Sequence, residues 1–292
     1  MDIPIRPLPA LFLSHGSPML ALEPGATGHF LQQLGPAIDQ AFGRPRAILA
    51  VSAHTTARVP VLLAGAQHRE VHDFGGFPDA LFQLRYRPPG APALAVEVAA
   101  CLASAGVAAR SVNEGGLDHG IWSMLRFMYP DADVPVLPLA WMPGAPPAEQ
   151  FALGEALAPL RAQGVLLMGT GSITHNLRRI FSAGAPERDA VEITESREFR
   201  AWFAERGAAR DWDRLWDYRR QAPHAADMHP TDEHLLPWFV AAGSGGRGAT
   251  PLRLHDGVTY GCLGMDAYAF GESAARLAQH LPPSSTGAGQ AR

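Results

Sequence analysis

Three apolar runs in this chain each end in polar or glycine-bearing residues and are followed by a histidine. Residues 11–13 precede His15, residues 47–51 precede His54, and residues 165–168 precede His175. Apolar runs of this length, stopped by glycine, proline or polar residues, are typical of buried strands. Because open α/β sheets hold their ligands at the carboxyl ends of strands, the pattern predicts that the three histidines meet at one edge of a sheet.

Helical segments alternate with these strands along most of the chain. Helices are predicted at residues 28–42, 91–104, 146–163, 186–206 and 211–220, and another with Thr231 as its N-cap. The alternation predicts an α/β fold, a single domain with a central, mostly parallel sheet flanked by helices and a metal site at the carboxyl ends of the strands. Strands 46–52 and 59–64 are close enough in sequence to form a hairpin or a sharp reversal.

The domain is expected to span residues 1–281, and the Pro-, Ser- and Gly-rich residues 282–292 to form a flexible tail. The net charge of −4, from 24 basic and 28 acidic residues, gives no electrostatic support for binding nucleic acid or a membrane. Cys101 and Cys262 form no metal or disulfide motif, which favours a reducing compartment. With no recognisable signal peptide or membrane-spanning run, we expect a cytoplasmic protein.

Histidine is the one residue type in surplus, with twelve in the chain. Candidate metal ligands lie at strand-to-loop or loop-to-helix junctions: His15, His54, His175 and His229. Imidazoles with few carboxylates nearby suit Fe(II) or Zn(II) and argue against Mg²⁺ or Ca²⁺. His72 and His119 lie on glycine-flanked loops, and His234 is expected either behind the ligands or in solvent.

Six segments of the chain together resemble the class III extradiol ring-cleavage dioxygenases, and most closely their 4,5-DOPA dioxygenase-like branch. In chain order the segments are Ser14-His15-Gly16-Ser17-Pro18, Ser52-Ala53-His54, His72-Asp73-Phe74-Gly75-Gly76-Phe77-Pro78, Leu117-Asp118-His119-Gly120, Gly171-Ser172-Ile173-Thr174-His175-Asn176-Leu177 and His229-Pro230-Thr231-Asp232-Glu233-His234. Each segment alone is weakly specific. The six in this order cover nearly the whole chain.

The resemblance implies a role for each histidine in these segments. His15, His54 and His229 are expected to bind the metal, which is Fe(II) in the working enzyme, with Zn(II) as an alternative bound ion. His175 is either a fourth ligand or the acid/base, and His119 faces a catechol substrate that reacts with O₂. Three protein ligands leave room in six coordination for two catechol oxygens and dioxygen, so we expect His175 to act as the acid/base, with closure on Zn(II) in a resting form.

The chain departs from that branch at two positions next to the metal-binding segments. Thr55 and Gly75 stand where the branch usually has Trp and Tyr, so the pocket is expected to be larger and DOPA to be a poorer substrate than a bulkier catechol. The alternative is that these positions pack away from the substrate and the changes are neutral. Together with His119, His72 and Ser17, they are the predicted substrate-binding residues.

Two other functions remain open at this point: a zinc-dependent hydrolase or metal-binding protein on the same scaffold, and a non-enzymatic member of the scaffold. The chain has no H-E-x-x-H motif, and Glu114 and Glu233 are the only glutamates near the predicted ligands, which counts against a protease. The four intact histidines count against a non-enzymatic protein. The sequence leaves the oligomeric state open.

Overall fold

A computed structural model describes residues 6–181, 184 and 186–282 of the chain. The strands of the described chain are β1 (Ala10–Ser14), β2 (Ala47–Ser52), β3 (Val61–Leu63), β4 (Arg110–Val112), β5 (Val136–Ala140), β6 (Val165–Gly171), β7 (Leu252–His255), β8 (Val258–Thr259), β9 (Leu263–Gly264) and β10 (Ala267–Phe270). Its helices are α1 (Gly25–Phe42), α2 (Asp79–Phe82), α3 (Pro92–Ser104), α4 (His119–Met128), α5 (Pro147–Leu157), α6 (Leu177–Phe181), α7 (Thr194–Ala208), α8 (Trp212–Trp216), α9 (Tyr218–Gln221), α10 (Ala225–Met228), α11 (Leu236–Gly245) and α12 (Ala274–Gln279). Two 3₁₀ helices cover Pro18–Ala21 and Ala158–Gln163.

Eight of these strands form the central sheet, in the order β4-β3-β5-β2-β6-β1-β10-β7. The inner strands β5, β2, β6 and β1 are parallel to their neighbours within this group. Antiparallel pairings flank them, with β10 beside β1 and β3 beside β5. The prediction of an α/β fold with a mostly parallel central sheet is therefore confirmed.

Helices cover both faces of the sheet. Successive side chains of a strand point to opposite faces, and on the inner strands the side chains on both faces are apolar, so each face must be buried. On β1, Leu11 and Leu13 face a core shared with α1, α4 and α12. Phe12, between them, faces a second core shared with α3, α5, α7 and α11. None of the described helices is both long and apolar enough to cross a bilayer.

Three local predictions are corrected by the fold. Strand β3 forms no hairpin with β2, because the fully buried β5 lies between them in the sheet. The helix expected to be capped by Thr231 begins four residues later than predicted, at Leu236, and Thr231 instead donates a hydrogen bond to Glu233. The helix expected from residue 186 begins at Thr194. The predicted tail lies outside the described residues except for Pro282.

Candidate active site

The carboxyl ends of β1, β2 and β6 bring three of the predicted site histidines to one edge of the sheet. Ser14 of β1 pairs with Gly171 of β6, and Ser52 of β2 pairs with Thr170 of the same strand. The residues that leave these strands therefore emerge side by side. His15, His54 and His175 meet there as predicted.

The imidazoles of His15 and His54 face each other through their Nε2 atoms, which lie 3.1 Å apart. The Thr170 hydroxyl donates to the Gly120 carbonyl at 2.9 Å, so it accepts a hydrogen bond from Nδ1–H of His15, also at 2.9 Å. This assigns the proton of neutral His15 to Nδ1 and leaves the Nε2 lone pair free. Gly120 is required here, because a Cβ on it would lie 2.9 Å from the His15 ring.

The carboxylate of Asp73 binds both the backbone and the side chain of His119. The carboxylate oxygen Oδ1 accepts hydrogen bonds from both the backbone N–H and Nδ1–H of His119, each at 3.0 Å. Its other oxygen lies 3.5 Å from Nδ1 of His54. Burial raises the pKa of Asp73, but the hydrogen bonds and charge of His119 outweigh burial and lower it to about 2. Asp73 is therefore an ionised link between two site histidines, and the sequence signalled it only as a member of the His72–Pro78 segment.

His234 joins the cluster although the sequence did not assign it to the site. Its ring stacks on that of His175, with the centroids 3.4 Å apart and the planes 9° from parallel. Nδ1 of His234 donates to Glu233 at 3.1 Å, and its buried Nε2 has no hydrogen-bond partner among the described residues. Gly171 allows this approach, since a Cβ there would lie 1.9 Å from the His234 carbonyl oxygen.

Burial lowers the pKa of four histidines of the cluster: His15, His54, His175 and His234. The effect is strong for His15 and His234, and it brings the pKa of His175 to about 3. The pKa of His54 is also lowered, by burial first and then by His119. The rings are therefore neutral at physiological pH, the form that binds metals and accepts protons.

His229 does not reach this cluster. Its Nε2 donates to the Ile173 carbonyl oxygen at 2.7 Å, and its buried ring packs against Phe199 and Tyr218. The segment from His229 to Leu235 turns before α11 begins, so the two histidines of that segment point to different surroundings. The structure thus places His234, rather than the predicted His229, beside the other site histidines.

A cavity of about 440 Å³ opens at the histidine cluster. It is lined by Gly16, Ser17, Pro18, His54, Asp73, Phe74, Gly75, Phe77, His119, His175, Leu177, Ile180, Phe181, Pro186, His234 and Tyr260. Of the predicted substrate-binding residues, Ser17, Gly75 and His119 therefore line the cavity. His72 does not, because its ring packs among Phe74, Phe82 and Trp122.

Thr55 lines a neighbouring recess of about 250 Å³ that shares His54 and Asp73 with the main cavity. Its hydroxyl donates to Asp118, whose other carboxylate oxygen accepts a 2.7 Å hydrogen bond from Ser52. Thr55 thus helps to fix the segment that carries His54, and it does not form the wall of the main cavity.

Two groups of potential metal-ligand atoms lie at this edge of the sheet. One comprises His15, His54 and His119, the other His175, Glu233 and His234, with the atoms of each set within 4.8 Å of one another. The 3.1 Å between the His15 and His54 nitrogens matches the about 2.9–3.4 Å expected for two ligands bound to one ion at about 2.0–2.1 Å. The donor set therefore fits a borderline transition metal.

The chain is similar in sequence and in fold to known proteins. A family model described as the catalytic LigB subunit of aromatic ring-opening dioxygenase matches residues 9–271. A protein from Beta vulgaris named 4,5-DOPA dioxygenase extradiol is 34% identical over 89% of this chain and 95% of its own length. A protein of the same name from Escherichia coli K12 is 35% identical over 88% of this chain and 93% of its length. A crystal structure of an uncharacterized protein from Escherichia coli K12 has a TM-score of 0.72 and 29% identity, covering 90% of this chain and all of that chain.

Proposed function

This chain belongs to the LigB family of class III extradiol ring-opening dioxygenases, which are oxidoreductases, and we propose that it opens the ring of a catechol with O₂ at an Fe(II) ion. In that reaction the ring bond beside the two hydroxyl-bearing carbons breaks, and both atoms of O₂ enter the product as parts of a carboxylic acid and an aldehyde. The single observation that carries the proposal is the pair of facing Nε2 atoms of His15 and His54 at the end of the cavity.

We propose His15, His54 and His234 as the metal ligands. His15 is supported by its Nδ1–H bond to Thr170, which leaves Nε2 free. His234 is supported by its position, with its ring centroid 4.9 Å from that of His54 and 5.4 Å from that of His15, and by its buried Nε2, which has no partner among the described residues. This set replaces His229, whose Nε2 is already bonded to a carbonyl oxygen.

The stacking of His175 on His234 supports an acid/base role for His175. A metal ion lies close to the plane of an imidazole that binds it, and two nearly parallel rings 3.4 Å apart have no common point near their nitrogens. Only one of the two can bind a given ion in this arrangement. With His234 as the ligand, the neutral ring of His175 lines the cavity and is available to accept a proton from a catechol hydroxyl.

A bound divalent ion would supply charge that lowers the pKa of the catechol hydroxyls and would bring the two substrates together. The residues of the protein orient the substrate and transfer its proton. His119, fixed by Asp73, directs its Nε2 edge away from that carboxylate and orients the substrate. His175 holds the proton taken from the substrate and returns it when the ring opens. The aromatic wall of the cavity excludes water from the reacting groups.

The same donor set would also suit a zinc hydrolase, with Glu233 as a carboxylate beside the proposed ligand His234. Glu233 accepts the Nδ1–H bond of His234, so it is engaged in orienting a ligand.

We further propose that the reaction takes place in the cytoplasm, since both cysteines are free.

The decisive experiment removes metal from the purified protein and reloads it anaerobically with Fe(II) or Zn(II). Each form then receives 4-methylcatechol and O₂, while oxygen uptake and the yellow ring-opened product are followed. We expect one O₂ consumed per catechol in the Fe(II) form, retained in a His29→Ala control on the exposed face of α1 and lost in His15→Ala. An iron-loaded protein that consumes no O₂ with any simple catechol overturns the proposal, and ester hydrolysis by the Zn(II) form would favour a hydrolase.

A further inference from the structure

The outer wall of the cavity is a row of three phenylalanines that leads away from the histidines. The Phe74 ring stands edge-on to His119, with centroids 5.6 Å apart, and Phe77 stands edge-on to Phe74 at 5.5 Å. Phe181 continues the row at 6.5 Å from Phe77. These are spacings at which aromatic rings attract one another, and a further ring can join such a row.

The row ends in exposed apolar surface at the mouth of the cavity. Phe181 is 67% exposed and Leu177 is 42% exposed, and both lie on the short helix α6 beside the half-buried Phe77. Large apolar side chains left in water at the mouth of a binding cavity mark a surface that a ligand covers. A substituent on a catechol bound at the histidines has room to extend along this surface.

The described lining of the cavity contains no arginine or lysine. Asp73 carries its one carboxylate, and Ser17 and Tyr260 supply neutral hydroxyls. The undescribed residues between Phe181 and Pro186 are serine and alanine by sequence, so they add no cation. The guanidinium of Arg188 lines a separate recess of about 10 Å³ next to Ser17, and it donates a 2.7 Å hydrogen bond to the Glu23 carbonyl oxygen.

We propose that this cavity selects catechols that carry an uncharged, apolar, ring-sized substituent and discriminates against catechols that carry a carboxylate. The inference rests on the proposed function and names its substrate class. A ring placed along Phe74, Phe77 and Phe181 gains apolar burial and edge contacts. A carboxylate in the same place packs against apolar rings, finds no cation among the described lining residues and faces the negative charge of Asp73.

The test measures binding separately from turnover. Dissociation constants of metal-loaded protein are determined anaerobically by calorimetry for 4-phenylcatechol, 4-methylcatechol and 3,4-dihydroxybenzoate. We expect 4-phenylcatechol to bind about tenfold more tightly than 4-methylcatechol, which corresponds to about 1.4 kcal/mol, and 3,4-dihydroxybenzoate to bind most weakly. The same order is expected for kcat/KM in the presence of O₂.

Substitutions in the row of phenylalanines test which residues produce the preference for 4-phenylcatechol. Phe77→Ala and Phe181→Ala are each expected to weaken the binding of 4-phenylcatechol about tenfold relative to the binding of 4-methylcatechol by the same variant. Phe127→Ala, on α4 and outside the cavity lining, is the matched control and should change neither. Phe77→Arg should improve 3,4-dihydroxybenzoate binding by supplying the missing cation.

The results separate this inference from the function on which it rests. Cleavage of 4-methylcatechol together with equal or tighter binding of 3,4-dihydroxybenzoate overturns the substrate class and leaves the dioxygenase activity standing. The expected binding order without any O₂ uptake would instead refute the activity. If no catechol binds the metal-loaded protein, both are refuted.

Discussion

The Nε2 atoms of His15 and His54 lie 3.1 Å apart although 39 positions separate the two residues in the chain. Two neutral imidazoles would not hold their lone pairs toward each other without a cation or a shared proton between them. The fold enforces the approach through β6, which pairs with both β1 and β2 and carries the Thr170 hydroxyl that orients His15. A metal ion bound between these atoms would take the place of that shared proton and stabilise the native state.

The ligand assignment predicts opposite outcomes for the two histidines of the segment before α11. His234→Ala should weaken metal binding by more than the about 10–100-fold typical of residues that only support ligands, because it removes a donor nitrogen. His229→Gln should retain a full equivalent of metal, since Gln can still donate to the Ile173 carbonyl. Elemental analysis after dialysis against a chelator measures both. Full metal in His234→Ala together with loss in His229→Gln would restore His229 as the ligand.

Replacing His175 is predicted to separate chemistry from metal binding. His175→Gln should keep the metal and reduce kcat by about 10²–10⁴-fold, the usual contribution of a general acid/base. The reason is that His175 stacks on the proposed ligand His234 and cannot share its ion in that geometry. Metal content and single-turnover rates are measured on the same sample. Loss of the metal in this variant would make His175 a ligand.

Asp73→Asn tests how much the orientation of His119 matters. The variant loses the negative charge that Nδ1–H of His119 contacts, so kcat/KM for 4-methylcatechol should fall about 10–100-fold when both proteins are compared fully loaded with metal. Asp79→Asn, in the exposed first turn of α2, is the matched control and should retain full activity. Wild-type kinetics in Asp73→Asn would reduce Asp73 to a residue that only shapes its loop.

Gly75 is predicted to control the size of substituent that the cavity accepts, and Thr55 is not. Open space surrounds the position of a Cβ on Gly75, which lines the cavity, so Gly75→Tyr should place a ring at its mouth. We expect kcat/KM for 4-phenylcatechol to fall about tenfold relative to 4-methylcatechol. Gly144→Tyr, also in open space but outside the cavity, is the control.

Thr55→Trp should instead lower activity on both catechols alike, because it removes the hydrogen bond to Asp118. A change of substrate preference in Thr55→Trp and none in Gly75→Tyr would reverse the two assignments. Wild-type preference for DOPA over 4-phenylcatechol would refute the enlarged pocket altogether.

The buried side chain of His229 should make the metal-free protein less stable in acid. Burial lowers its pKa to about 4 despite the hydrogen bond to Ile173, while in the unfolded chain the pKa lies near 6.5. Between these values the unfolded chain binds the extra proton, so the free energy of unfolding falls as the pH drops from about 6.5 to about 4. The contribution is on the order of 3 kcal/mol.

Urea unfolding of wild type and His229→Gln at pH 7 and at pH 4.5 measures this contribution. The loss of stability in acid should be smaller in the variant, which keeps a donor to the Ile173 carbonyl but does not titrate. The other buried histidines are common to both proteins and cancel in the comparison. An equal loss in both would assign the acid sensitivity to the histidine cluster alone.

The sequence alone predicted the fold class and the meeting of three histidines at one edge of the sheet. Apolar runs that stop at polar residues are a local property, and parallel pairing of the inner strands then brings their carboxyl ends together whatever the details of the helices. His15, His54 and His175 were predicted on this basis. The motifs indicated the family in the same way, because each motif consists of residues that lie close together in the sequence.

Tertiary packing decided which histidine of the segment from 229 to 234 joins the site. That segment is a turn, so neither helical nor strand periodicity tells which side chain points to the cluster. The choice depends on distant residues: Phe199 and Tyr218 enclose His229, while Gly171 on β6 lets the backbone of His234 approach. The position of β5 between β2 and β3, the anchoring of His119 by Asp73 and the aromatic row to Phe181 are likewise long-range contacts. Such contacts arise when separate elements pack together, and no local pattern in the chain encodes them.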